Sequence, residues 1–220
     1  MKAFLGDPQL KVDIVEELRI HRESDAIVKG HYGKTNGKFT GCAIGCSIHS
    51  LNQRRGLSLP TNDHGVYETH LGIPRVIARL EDSIFEALPE DRYLDWPWQV
   101  ASAIQVGSDL SMVWPKFALW LLTDSNMLRI TDRNRESIEG VAGLYRKWLD
   151  GAKPSIKDWR KARTAAYAAY AAAADAAYAY AAAAAADAAD AARRSAIWKT
   201  ARTAAWCEMA DKLLQLLAAA

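Results

Sequence analysis

Cys42, Cys46 and His49 are spaced i, i+4 and i+7, so on a helix all three point the same way. Thiolate and imidazole are the donors that zinc prefers, and His64 or His70 would supply the fourth ligand of a tetrahedral site. The spacing departs from the usual zinc pattern, in which close cysteine pairs sit on turns. Packing of small buried side chains is the alternative, since free cysteine is among the most buried residue types. A second chemistry makes Cys42 or Cys46 a nucleophile. Gly41-Cys42 would put a thiol at a helix N-terminus, where amides stabilise thiolate, with His31 or His49 among the candidate bases. A third is anion binding. Gly33-Lys34-Thr35 resembles the end of a phosphate loop without completing one. What remains is a glycine-rich stretch with His31, Lys34, Thr35 and Lys38, and Tyr67 beyond it, in which backbone amides could cradle a nucleotide-like phosphate. A solvated surface loop is its plain counterpart.

Residues 30–50 concentrate these groups: two of three cysteines, two of five histidines and five of thirteen glycines. Elsewhere Glu81-Asp82, with Glu86 and Glu68, could form an acidic cluster. Neighbouring carboxylates on a helix diverge by about 100°, so surface charge or pairing with Arg75 or Arg79 is the simpler expectation.

The elements that must hold these residues are read as helices. Asp7-Pro8 caps and starts a helix whose apolar face is Leu10, Ile14, Val15 and Leu18, ending near Glu23. Residues 30–41 read as loop, and Cys42 to about Leu51 as a short helix. Ile73, Ile77, Leu80, Ile84 and Leu88 predict an amphipathic helix after Pro74. Further helices are expected over 64–70, 99–106, 110–122 and 132–148; residues 25–28 and 127–130 could be short strands. In residues 162–192, 22 of 31 positions are alanine, the strongest helix former. A helix or helical hairpin is expected there. Its aspartates and arginines gather on one side and Tyr167, Tyr170 and Tyr178 on another, and its small residues suit close helix approach, docking on the core through Trp159, Trp198 and Trp206, or self-association.

The predicted fold is therefore mainly α: a compact helical domain over 1–151 and an alanine-rich helical tail over 152–220. The chain has 220 residues, half of them apolar, enough for a real core. A net charge of +2 supplies no global field for nucleic acid or an anionic membrane. Three cysteines, no leader-like start and an alanine run interrupted by charge lead us to expect a soluble protein of a reducing cytosol.

Gly41-Cys42-Ala43-Ile44-Gly45-Cys46-Ser47-Ile48-His49, followed by Tyr67-Glu68, Leu71-Gly72-Ile73-Pro74, Ala78-Arg79-Leu80-Glu81-Asp82, Ile84-Phe85-Glu86 and the alanine-rich tail, resembles a family of phage, prophage and bacterial proteins. The resemblance spans most of the chain and carries no catalytic residues with it. It implies a phage-type accessory protein in a bacterial cytosol, acting on a host factor or a defence system. The leading expectation is a binding or inhibitory module that recognises a host protein or a small anionic ligand. A cysteine/histidine hydrolase or transferase, and a structural protein that forms homo-oligomers through the alanine-rich helix, are the alternatives.

Overall fold

The computed structural model describes residues 1–124, 132–165 and 188–220. Helices dominate them, so the protein is mainly α, and none of these helices is long and apolar enough to cross a membrane. Contacts divide the chain into one unit formed by Met1–Trp114 with Trp206–Ala220 and another formed by Pro115–Ala205. The expected boundary at residue 151 falls inside the second unit.

In the first unit, α1 (Pro8–Glu23) starts as its sequence dictates: the Asp7 carboxylate accepts the Gln9 amide at 2.9 Å, and Pro8 occupies the first turn. α2 (Ala43–Arg55) packs on it, joined at the surface by Arg54 to Glu17 and Arg55 to Asp7. α3 (Gly65–Leu71) and α4 (Arg75–Ala87) follow, then a short turn α5 (Glu90–Tyr93) and α6 (Trp96–Ala103). α4 shows the predicted periodicity directly: Ile77, Ala78, Glu81, Ile84 and Phe85 are buried, while the opposite face is solvated. Trp96 is fully buried and donates its indole N–H to the Glu81 carbonyl at 3.0 Å, locking α6 to α4. The C-terminal helix, Ala188–Ala218, brings Ala210, Leu213 and Leu217 into this unit as a buried stripe, with Arg92 and Asp211 paired beside it.

The stretch expected as a loop, residues 30–41, contains a small antiparallel hairpin. β1 (Lys34–Asn36) pairs with β2 (Lys38–Thr40), Thr35 opposite Phe39, around Gly37 at φ 82°. The cause lies in the chain itself: Gly37, between the paired Asn36 and Lys38, takes a left-handed backbone that glycine adopts without strain. Ahead of the hairpin, Ile27 bridges to Gly41, and the Cys42 amide donates to the His31 carbonyl at 2.9 Å. This chain segment lies against the start of α2 so closely that a Cβ on Gly45 would stand 1.6 Å from the Tyr32 carbonyl oxygen. Two glycines of the Gly41–Gly45 motif thus admit a crossing backbone, since a Cβ on Gly41 would also come within 2.8 Å of that oxygen.

The second unit holds α7 (Val113–Thr123) from Pro115 onward, α8 (Asp132–Leu149) and the helical residues 156–165. Tyr145, Trp148 and Trp159 form an aromatic cluster, Tyr145 and Trp159 having centroids 4.8 Å apart, and Lys153 lies over the Trp148 ring. Trp159 packs against Tyr145 and Trp148 of α8, and the side chain of Trp198 lies outside the described residues. The possible strand at 127–130 and the alanine-rich stretch 166–187, with Tyr167, Tyr170 and Tyr178, lie outside the described residues.

Candidate functional site

α2 begins at Ala43 with Cys42 as its N-cap residue, so the thiol sits at a helix N-terminus as the sequence suggested. Facing it is the polar edge of α4. Cys42 Sγ, an Asp82 oxygen and a Glu86 oxygen all lie within 4.8 Å of one another. Residues 82 and 86 are one helical turn apart, so both carboxylates project from one face of α4. Among the described residues this is the group of histidine, cysteine and acidic side chains placed closely enough to hold a metal ion.

The segment ahead of β1 holds both acids, and His64 joins it at Asp82. Asp82 Oδ2 accepts the Tyr32 hydroxyl at 3.0 Å and lies 3.0 Å from His64 Nε2. The Tyr32 and His64 rings meet edge to face, 5.7 Å between centroids. Glu86 accepts the Gly30 amide on both oxygens, at 3.1 and 3.2 Å. Asp82 Oδ1 is buried and has no hydrogen-bond partner. One oxygen of this carboxylate is therefore fixed by two donors while the other remains uncommitted. Tyr32 is 37% exposed.

Electrostatics follow burial. Cys42 is 1% exposed, and burial, reinforced by Asp82 against the opposing pull of the Gly45 and Ile44 amides, pushes its thiol up to about 12. Cys46 is deeper still: its Sγ donates to the Gly41 carbonyl at 3.3 Å, and burial raises it well above the ordinary thiol range. Both shifts run opposite to those of a reactive thiolate, which needs exposure and a lowered pKa. One residue before Asp82, Glu81 turns inward and is 2% exposed. Burial first, then the neighbouring Asp82 charge, push its carboxyl up to about 8, with the Tyr67 hydroxyl, at 3.5 Å, pulling the other way. Neither Glu81 nor Asp82 is the surface charge expected of this pair.

The groups singled out by sequence are dispersed by the fold. Cys42, Cys46 and His49 share a helix side, but Cys42 faces α4, Cys46 faces backbone carbonyls, and His49 faces the hairpin. His49 stacks on Phe39, centroids 3.8 Å apart and planes 2° from parallel, and meets His21 edge-on at 5.6 Å. His64 reaches the Cys42 neighbourhood through Asp82, while the His70 imidazole is half-buried on α3. His31 Nε2 lies 3.2 Å from Thr40 Oγ1. Lys34 and Lys38 are exposed on the hairpin, Lys38 donating to the Ser24 carbonyl; the Thr35 side chain lies outside what is described. Tyr67 is buried beside Glu81, whereas Lys34 and Lys38 are solvent-exposed. Tyr32, Asp82 and Glu86 complete the cluster instead. Asp82 and Glu86 were legible as an i, i+4 acidic pair; nothing in the local pattern marked Tyr32.

No protein-family model, curated protein or solved structure matches the chain.

Proposed function

We propose that the protein is a phage-type accessory binding module whose working site is the Tyr32, Cys42, His64, Asp82 and Glu86 cluster, and that this site takes a positively charged group. The observation that carries the reading is the uncommitted, buried Asp82 Oδ1 beside Glu86, two carboxylates whose other contacts are already made. A buried carboxylate oxygen without a partner is costly, and a cation removes that cost. Clustering supports it too: stretches around residues 42, 67 and 82, which carry the resemblance to phage and prophage proteins, fold against one another. Action on a host factor or defence system is the setting the resemblance implies for that binding. An anionic ligand is disfavoured at this cluster by its carboxylates, and a thiol-based hydrolase or transferase by the burial of Cys42 and Cys46.

Calorimetric titration of the full chain with divalent cations, an alkylamine and a guanidinium probe tests the reading. At least one cationic probe should bind, and Asp82→Asn should weaken it tenfold or more with the circular dichroism spectrum unchanged. Should Asp82→Asn misfold, Glu86→Gln at the exposed end of the cluster serves in its place. No binding by any cationic probe, or equal binding by a folded variant, overturns it.

A further inference from the structure

We infer that the cation taken by this cluster is a thiophilic divalent metal ion of the zinc type, ligated by Cys42 Sγ, Asp82 Oδ1 and a Glu86 oxygen. The inference rests on the cation-site reading above and names its ligand class.

Three features carry it. First, a thiol and two carboxylate oxygens lie within 4.8 Å of one another, close enough for one ion to reach all three. Three protein donors with a fourth position left to solvent is the arrangement of an open zinc site, and a sulfur donor separates it from the all-oxygen sites that magnesium and calcium use. Second, the donors are oriented from behind. Tyr32 Oη and His64 Nε2 hold Oδ2 of Asp82 and leave Oδ1 buried without a partner, while the Gly30 amide holds Glu86. Such outer contacts are what fixes a metal ligand in its ligating orientation. Third, Cys42 is the N-cap residue of α2, so the positive end of the helix lies beside the sulfur once a cation has displaced the thiol proton to solvent. The proton leaves, the S–metal bond forms, and no electrons are transferred. An amine or guanidinium would make no use of the sulfur.

The test uses the full chain. Native mass spectrometry should find one zinc ion per chain. Cobalt(II) in place of zinc should give a thiolate-to-metal charge-transfer absorption. That band should vanish in Cys42→Ser and persist in Cys207→Ser, while zinc affinity falls tenfold or more in Cys42→Ser and in Glu86→Gln. Because Glu86 is exposed, Glu86→Gln keeps the test valid if Cys42→Ser does not fold. Failure to bind zinc, a band that follows Cys207, or zinc affinity indifferent to Glu86→Gln overturns the inference. If zinc fails while an amine or guanidinium probe binds in an Asp82-dependent way, only the metal assignment falls; if no cation binds, the function reading falls with it.

Discussion

At the start of α2, Cys42 faces the carboxylates of α4; two turns further on, His49 faces Phe39 and His21. Both places on the helix, its start and its middle, combine metal-competent residue types with partly satisfied polar atoms, for Asp82 Oδ1 and Glu81 Oε2 lack partners beside the first, and His21 Nε2 lacks one at the second. The first place is polar and is held by donors from two other elements. The second is closed by ring stacking, and His21 is only 7% exposed. Residue type is thus a poor guide to which place holds a ligand. What differs is the element opposite: α4 supplies charge at one, and α1 with the hairpin supplies aromatic surface at the other.

The comparison breaks most severely at Gly45. Gly45→Ala drives a methyl into the Tyr32 carbonyl, a backbone atom that cannot yield cheaply, and should cost about 4 kcal/mol or more, read by chemical denaturation. Where the chain still folds, Tyr32 moves and cation binding is lost while the Phe39–His49 stack stays.

The two places should also answer pH in opposite senses. The Glu81 carboxyl, raised from an ordinary 4.5 to about 8, is held neutral by the fold. Its contribution is complete below the unfolded value and is lost as pH rises through the folded one, so stability should fall by about 3 kcal/mol from about pH 5 to about pH 7.5. Glu81→Gln, which keeps the neutral shape, should abolish that slope in urea titrations. His21 behaves in reverse. Burial, with the His49 and Lys38 charges, lowers its imidazole from 6.5 to about 4, so the unfolded chain binds the extra proton and stability should drop by about 2 kcal/mol as pH falls through that window. His21→Leu should flatten the acid limb and leave the alkaline one alone.

Much of this architecture can be read from the chain. The Asp7-Pro8 start of α1 and the apolar spacing of α4 are local signals, each a consequence of 3.6 residues per turn and of backbone groups needing caps. Fold class follows from such signals, and the described helices agree with it. The hairpin was carried by Gly37 and concealed by glycines that read equally well as loop. Tyr32, too, had no local mark, because its role depends on a backbone crossing that two glycines only make possible.

The candidate site is where local pattern stops being informative. An i, i+4, i+7 series aligns Cys42, Cys46 and His49 around the helix, yet seven residues also separate the first from the last by about 10 Å along the axis, too far to share an ion. Spacing along a helix determines direction; it does not determine what stands opposite. By itself the sequence determined a helical protein, a thiol at a helix start and an acidic pair one turn apart on α4. Only tertiary structure decided that these two features meet, that Tyr32 and His64 converge on Asp82, and that Glu81 turns inward. The physical reason is that ligand geometry needs donors within a few ångströms in three dimensions, and chains separated by forty residues reach that proximity only through core packing.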